Sequence, residues 1–459
     1  MPDDRGATEA TTAFPDVASF VRGIAFADLP PDVALQATRC LLDLIGVAAA
    51  GTRTRASGIA RSYTASQLCG RDEAARMLFD GRRAGIAGAA FAGATTIDAI
   101  DGHDGHALTK GHAGVAILPA LLALCDGAYR NHAIGGHEFL NCLTLGYEIA
   151  TRAGIAQHAT VPEYHCSGSW NSIGCAAVAG RLLSFDEARI VEALGLAEYF
   201  GPRGQMLRTC DTPSMVKDGS GWGAHVGITA AWLAREGFTG APAVTVEGAD
   251  TKPYWTDLGT RWRIREQYFK AYPVCRWAQP AVEAALAVQR EHGFFAEDIA
   301  HVSIESFREA IALGSQCGIP NTTEDAQYSL RYPVAAALVF GRLGAEEIRL
   351  PKLADPRVRR MLGIVALTEN AEYSRLFPAE RWARVQVTLS DGRTLVSQPA
   401  EARGSPENPL ATGELRAKYF ELAEPVLGRP RAERIERLVD DLRHGDGLPQ
   451  LLEELLQPA

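Results

Sequence analysis

Apolar residues recur at helical spacing through the first half of this chain, and that pattern limits the folds open to it. In residues 31–50, PDVALQATRCLLDLIGVAAA, the side chains of Val33, Ala37, Leu41 and Ile45 fall on one face of a helix. Similar spacing predicts further helices at residues 53–68, 84–97, 113–125, 134–158, 171–183, 186–199 and 224–235. We find almost no convincing strand pattern among them, so this part is predicted to be mainly helical.

The pattern changes in the second half of the chain. Residues 299–305, IAHVSIE, partly alternate apolar and polar side chains, as a half-buried strand does. Residues 384–396, RVQVTLSDGRTLV, place two β-rich arms around an Asp-Gly turn, which is a hairpin signature. Helical patterns at 323–344 and 355–366 lie between these strands.

Helices are predicted again near the end of the chain, at residues 411–423 and 431–442. We therefore predict a mainly α fold with two domains, as the length of 459 residues also suggests. A large all-helical domain is expected over residues 1–265, with residues 406–459 returning to it. A smaller α+β domain is expected over residues 266–405.

Composition limits the partners. A formal net charge of -9 argues against nucleic acid and anionic membranes, and no apolar run reaches the length of a membrane span. Residues up to about Phe14 read as a loose leader without a secretory signal. Nine cysteines are scattered singly with no CxxC pair, which predicts reduced thiols in the cytoplasm.

Titratable residues cluster in one short run between apolar segments, DAIDGHDGHALTKGHAGVAILP. Its acids and histidines are Asp98, Asp101, His103, Asp104, His106 and His112. Such a loop could line a buried cleft, shift pKa values and transfer protons.

Asp101 and His112 could serve there as base and acid, or could orient each other. A metal site built from His103, Asp104 and His106 is the rival interpretation, although the flanking glycines would hold ligands loosely. The simplest alternative is a loop whose acids cap the following helix and whose histidines are solvated.

Three further segments carry candidate site residues. His165 lies in YHCSGSWNSIG, just before a predicted helix N-terminus that would favour an anion. Lys217 lies in a Gly-rich turn and Lys270 among aromatic residues, where a lysine could hold a carboxylate or stabilise an enolate. Capping serines and a lysine that snorkels at a domain junction are the structural alternatives.

Arg203, Arg276 and Tyr332 are weaker candidates from the residues alone. No phosphate-binding glycine motif and no GxSxG motif is present. The residues therefore point to acid–base chemistry on a small anion without a nucleotide cofactor. A helical binding protein without catalysis is the other interpretation.

At these same places the chain resembles the MmgE/PrpD family, which includes 2-methylcitrate dehydratase, cis-aconitate decarboxylase and iminodisuccinate epimerase. The matching pieces include AAFAGATTIDAID, GHAGVAILPALLAL, YHCSGSWNSIGCAAVAGRLL and YFKAYPVCRWAQ, and the resemblance covers nearly the whole chain. It implies a helical domain with an α+β lid, a homodimer, and no metal, iron–sulfur cluster or nucleotide.

The resemblance assigns active-site positions to Asp101, His112, His165, Lys217, Lys270 and Tyr332. The family's DFDD motif reads DGHD here, with His103 in place of an acid, and its HPxG motif reads HAGV. Gln279 stands where members often carry a histidine. We expect His103, Arg203 and Arg276 to contact the substrate.

These observations predict a cofactor-independent lyase or isomerase that removes a proton next to a carboxylate of a small di- or tricarboxylic acid. A 2-methylcitrate dehydratase-like reaction ranks first, followed by epimerisation of an iminodisuccinate-like acid and by decarboxylation of a cis-aconitate-type acid. A metal-dependent hydrolase and a binding protein that has lost catalysis remain as alternatives.

Overall fold

The computed structural model describes residues 14–70, 73–127, 134–315 and 318–459. The expected leader lies almost wholly outside the described residues, as does Cys317. The other cysteines are unpaired thiols.

Helices dominate the first part of the chain. They are α1 (Val17–Gly23), α2 (Pro31–Gly51), α3 (Arg55–Gln67), α4 (Ile86–Asp98), α5 (Gly114–Gly127), α6 (Gly136–Thr160), α7 (Gly168–Leu182), α8 (Glu187–Phe200), α9 (Met206–Asp211), α10 (Ser220–Arg235) and α11 (Val244–Glu247). Later helices are α12 (Gln279–His292), α13 (Arg308–Ala312), α14 (Thr323–Gln327), α15 (Arg331–Phe340), α16 (Leu350–Leu353), α17 (Pro356–Leu362), α18 (Ala371–Leu376), α19 (Thr412–Leu427), α20 (Arg429–Asp441) and α21 (Leu448–Leu455). The mainly α fold class is confirmed.

Close helix packing forms the first core. Helix α10 packs on α7 and α4, and α5 packs on both α4 and α6. A Cβ atom on Gly146 of α6 would lie 2.4 Å from the Cγ2 atom of Ile117 on α5, so a larger side chain would force the helices apart. The glycines and alanines of these helices therefore serve tight packing.

Short strands pair at three places. They are β1 (Ala74–Arg76), β2 (Arg83–Gly85), β3 (Gly105–His106), β4 (Gln267–Tyr268), β5 (Ile299–Ser306), β6 (Val365–Glu369), β7 (Trp382–Leu389), β8 (Thr394–Val396) and β9 (Ala400–Glu401). The main sheet has the order β6-β5-β7-β8, with β9 also on β7. The predicted strand at 299–305 and the hairpin at 384–396 are confirmed as β5 and as the antiparallel pair β7–β8.

Two predicted helices differ from the structure. The pattern at 323–344 forms two helices, α14 and α15, and Pro333 lies in the first turn of the second. Proline is tolerated there because the first turn leaves backbone N–H groups unpaired, whereas a continuous helix would lose a hydrogen bond. The pattern at 355–366 ends at Leu362, and β6 follows, pairing in parallel with β5 at Val302↔Val365.

The C-terminal helices pack on the first part of the chain. Helix α19 lies against α2, and Lys418 of α19 donates to Asp43 of α2 at 2.6 Å. The same ammonium donates to the carbonyl oxygen of Gly102 at 2.6 Å, so this contact also holds the acid–histidine loop.

Helix α2 is long and apolar enough to span a membrane by length and composition alone, which the sequence analysis did not anticipate. Most of its apolar window is buried inside the protein. This burial is the behaviour of a core helix, so the length is weak evidence for a membrane span.

Candidate active site

A two-residue antiparallel pairing brings distant segments of the chain together. Strand β3 in the acid–histidine loop pairs with β4, so that Gly105 lies opposite Tyr268. A Cβ atom on Gly105 would lie 2.6 Å from both the Nδ1 atom of His112 and the hydroxyl of Tyr268, so only glycine fits there. Because Lys270 follows β4 by two residues, this pairing places it beside Asp101.

Lys270 and Asp101 form a buried ion pair. The Nζ atom of Lys270 lies 2.5 Å from Oδ1 of Asp101 and 3.2 Å from its carbonyl oxygen. Burial alone would raise the pKa of Asp101, but the charges of Lys270 and Lys217 outweigh it and hold that pKa below its usual range. Burial alone would lower the pKa of Lys270, but Asp101 raises it, so both groups are charged at neutral pH.

His112 presents an unprotonated nitrogen to this pair. Its Nδ1 atom lies 2.5 Å from the carbonyl oxygen of Asp104, and because a carbonyl only accepts, Nδ1 carries the proton. Its Nε2 atom lies 4.0 Å from Oδ1 of Asp101. Burial and the charge of Lys270 lower the pKa of His112 well below its usual value, so Nε2 keeps its lone pair at neutral pH.

His103 lies beside His112 and is fully buried. The two rings meet edge to face with centroids 4.3 Å apart. The Nε2 atom of His103 is 3.6 Å from Oδ1 of Asp98 and has no hydrogen-bond partner among the described residues. An unpaired buried nitrogen is costly, and such groups concentrate at functional sites.

Asp218 is an acid of the site that the sequence analysis missed, although it directly follows Lys217. Its Oδ2 atom lies 3.6 Å from Nε2 of His112 and accepts a 2.9 Å hydrogen bond from the hydroxyl of Ser167. Burial, together with the charges of Asp98 and Asp101, raises the pKa of Asp218 to about 7. A proton donor and a proton acceptor therefore lie side by side at neutral pH.

Lys217 reaches the site from a strained turn. Its φ of 47° is in the left-handed region, which non-glycine residues rarely adopt and which recurs at functional sites. Its ammonium lies 4.6 Å from the centre of the Tyr328 ring and donates to Oε1 of Gln327 at 2.7 Å. Gln327 also had no sequence signal, because Lys217, from which it accepts, lies 110 residues away in the chain.

Two predicted residues lie elsewhere. The hydroxyl of Tyr332 donates to the carbonyl oxygen of Glu347 at 2.5 Å, and Tyr328 is the tyrosine that covers Lys217. Arg203 is exposed in the loop between α8 and α9 and pairs with Glu198 at 3.4 Å. Neither Tyr332 nor Arg203 has a contact with the cluster in the described part of the chain.

His165 and Arg276 lie near the cluster but do not join it directly. The Nε2 atom of His165 is 3.7 Å from Glu163, and the residue stands two positions before Ser167. The guanidinium of Arg276 lies 4.5 Å from the centre of the Tyr268 ring, and that ring faces His112 with centroids 6.3 Å apart. Arg276 also donates to the carbonyl oxygens of residues 402 and 403, so it ties the cluster to the chain after β9.

The rival metal set of His103, Asp104 and His106 does not come together among the described residues. Asp104 accepts a hydrogen bond from the hydroxyl of Tyr147, and burial together with the charge of Asp43 raises the pKa of Asp104 to about 7. His106 pairs with Glu266 at 2.9 Å.

A different trio of possible metal ligands does converge. One ligand atom each from Asp101, His103 and His112 lies within 4.8 Å of the others. The ammonium of Lys270 already lies 2.5 Å from the same Asp101 oxygen. As arranged, the set therefore suits an ammonium–carboxylate pair better than a metal ion.

A cavity of about 900 Å³ lies between the two parts of the molecule, beside the cluster but not around it. Its lining includes Arg55, Ile100, Thr323 and Phe420. Ile100 directly precedes Asp101, and Thr323 accepts a hydrogen bond from Gln327.

Comparison with known proteins identifies the family that this sequence matches. The MmgE/PrpD N-terminal domain model matches residues 15–253 and the C-terminal domain model matches residues 272–444. A cis-aconitate decarboxylase-like protein, oryM, of Aspergillus oryzae is 24% identical, over 95% of this chain and 96% of its own length. The cis-aconitate decarboxylase of Mus musculus is 24% identical over 93% of this chain and 89% of its own length.

A 2-methylcitrate dehydratase of Cupriavidus necator is 28% identical over 61% of this chain and 62% of its own length. These relatives are lyases by name, and they act on different acids. Because the two domain models together match most of the sequence, this chain belongs to the MmgE/PrpD family.

Proposed function

We propose that this protein is a cofactor-independent lyase that removes a proton next to a carboxylate of a small di- or tricarboxylic acid. The observation that carries the proposal is the buried group of Lys270, Asp101 and His112, in which a charged ammonium lies beside a histidine with a free lone pair. Such a proton is weakly acidic, so a nearby cation must mask the substrate's charge and stabilise the enediolate.

In this proposal Lys270 and Lys217 bind the substrate's carboxylate, and Asp101 holds the ammonium of Lys270 in place. His112 Nε2 takes the proton from carbon, and the electrons of that C–H bond form the double bond. The C–O bond on the neighbouring carbon breaks, and its oxygen takes a proton from Asp218 and leaves as water. The proton on His112 then returns to Asp218 across the 3.6 Å between them.

Dehydration is our first choice because it needs a base and an acid together, and His112 and Asp218 supply both. Decarboxylation is the second candidate, supported by the decarboxylases that match nearly the whole chain. Decarboxylation needs only one proton donor, which protonates the carbon from which carbon dioxide leaves. Epimerisation would follow from the same enediolate by reprotonation on the other face.

A metal-dependent hydrolase is a further candidate because Asp101, His103 and His112 converge. Metal analysis of the purified protein would test it. One equivalent of zinc, with activity lost to a chelator and restored by zinc, would favour it over the lyase.

The lyase is tested with 2-methylcitrate, citrate, cis-aconitate and aspartate-derived acids in deuterated water. We expect deuterium exchange next to a carboxylate, with formation of an unsaturated acid or of carbon dioxide from at least one substrate. Release of carbon dioxide without water loss would select decarboxylation. The absence of both exchange and turnover across the panel would contradict the proposal.

A cytoplasmic location and a homodimeric state belong to the same proposal. The unpaired cysteines of the described residues support the cytoplasmic location. Sedimentation would test the homodimeric state.

A further inference from the structure

Gln327 is the side chain through which the C-terminal part of the molecule reaches the proposed site. It is the last residue of α14 and is fully buried. Its Oε1 atom accepts from Nζ of Lys217 at 2.7 Å and from the backbone N–H of Asp101 at 2.8 Å. One amide oxygen therefore holds two groups that lie far apart in the sequence.

All four hydrogen-bonding positions of this amide are used. Its Nε2 atom donates to the carbonyl oxygen of Ala99 at 3.2 Å and to Oγ1 of Thr323 at 3.0 Å. The reverse orientation of the amide would place N–H groups against the Lys217 ammonium and the Asp101 N–H, which are both donors. The contacts therefore fix the orientation of Gln327, and no other neutral side chain of this length offers the same pattern.

We propose that Gln327 is a positioning residue, which aligns the Lys217 ammonium and the Asp101 loop when the C-terminal part closes over the cluster. This inference rests on the proposed function, since that assigns Lys217 and Asp101 to the site. Lys217 needs such a partner because its backbone is held in the left-handed region and its ammonium is buried. If the two parts separate, Lys217 and the Asp101 N–H lose the same acceptor together.

The test compares Gln327→Met, which removes the amide, with Gln327→Glu, which keeps an acceptor for both groups. In Gln327→Met we expect kcat/KM to fall about 100-fold, because displacing a substrate-binding group by about 1 Å has an effect of that size. Hydrogen exchange at the Asp101 N–H should become about tenfold faster, because its acceptor is gone. Gln327→Glu should restore most of the protection at Asp101 and part of the activity.

Gln289→Met is the matched control. Gln289 donates to the carbonyl oxygen of Leu338 at 2.9 Å in the same part of the molecule, away from Lys217 and Asp101. We expect this variant to keep wild-type exchange at Asp101 and kcat/KM within about threefold. A purely structural role for Gln327 predicts that both methionine variants lose activity alike and that Gln327→Glu rescues nothing.

Three outcomes would overturn the proposal. The first is a folded Gln327→Met protein with wild-type Asp101 exchange and activity. The second is equal damage from Gln289→Met. If Gln327→Met does not fold, Thr323→Val still removes one acceptor of the Gln327 amide. Unchanged exchange at Asp101 together with unchanged kcat/KM in Thr323→Val is the third. If the wild-type protein turns over no acid, the proposed function fails, and the exchange measurement alone still decides the role of Gln327.

Discussion

Two buried groups of charges in this molecule differ in how completely their atoms are paired. Around Arg152, the guanidinium donates to the carbonyl oxygens of Tyr254 at 2.7 Å and Arg261 at 2.6 Å, and it contacts the carboxylates of Glu148 and Asp257. Glu148 in turn accepts from the backbone N–H of Ile264 at 2.9 Å. This group is an anchor, because each charge has a fixed partner.

The cluster around Asp101 is buried as deeply but is left incomplete. Nε2 of His103 and Oδ1 of Asp218 have no hydrogen-bond partner among the described residues. His112 keeps an unprotonated nitrogen 3.6 Å from an acid whose pKa is raised to about 7. Buried charges alone therefore do not mark a site, whereas unpaired buried atoms with opposite pKa shifts do.

The largest expected effect is on catalysis in the incomplete cluster. Replacing His112 by Gln should lower kcat/KM by about 10²–10⁴-fold, because a general base contributes an effect of that size. The control is His106→Gln, in the same loop, whose partner is Glu266. Steady-state kinetics on whichever acid of the proposed panel is turned over would measure both. Equal losses would show that the loop, rather than the His112 nitrogen, matters.

The complete group should respond in the opposite way. Replacing Arg152 by Met leaves Glu148 buried without its cation, so the free energy of unfolding should fall by about 3–5 kcal/mol. The activity of the protein that remains folded should stay within about threefold of wild type. Chemical denaturation and active-site-normalised kinetics would measure these. A stable but inactive Arg152→Met protein would contradict the distinction between the two groups.

The pH dependence of activity should show the two opposite pKa shifts. Activity should fall as pH drops through the lowered pKa of His112, because the base becomes protonated. It should also fall as pH rises through about 7, because Asp218 loses the proton that it donates. Asp218→Asn should lower kcat/KM about 10–100-fold and remove the alkaline fall, whereas a variant profile parallel to wild type would assign that limb to another group.

Most of the fold could be predicted from the sequence because helices are local. The apolar spacing of α2 and the Asp-Gly hairpin depend on neighbouring residues, and both are confirmed. Strand β6 was missed because its pairing with β5 spans more than fifty residues. Its own five residues, VALTE, follow a helical pattern that gives no warning of the change.

The site was predictable in part, and the reason is similar. The structure brings Asp101, His112 and Lys270 together, and their catalytic roles stay a prediction. They were predicted because titratable residues cluster in the loop and because family motifs mark their positions. The sequence favours Tyr332, whereas Tyr328 is the tyrosine that contacts the Lys217 ammonium. A break between two helices separates the two tyrosines, so residue spacing alone does not show which one faces the cluster. Gln327 is an ordinary amide in the sequence, and only the packed structure shows what it holds.

The smallest effect concerns the stability conferred by Asp104, which lies beside the cluster without a proposed part in the reaction. Its pKa is raised from 3.8, the usual value for the free side chain, to about 7 in the folded protein. The unfolded chain therefore loses this proton first, so the contribution of Asp104 to stability is full below about pH 3.8 and is lost as pH rises through about 7.

Asp104→Asn removes this titration and keeps an acceptor for Tyr147. Through this group, the wild-type protein should lose about 1–3 kcal/mol of unfolding free energy between pH 5 and pH 8. The variant should not show this loss. Because His112 bonds only the backbone carbonyl of residue 104, kcat should be nearly unchanged. Urea denaturation at the two pH values would measure the difference, and parallel curves for variant and wild type would show that Asp104 is not the titrating group.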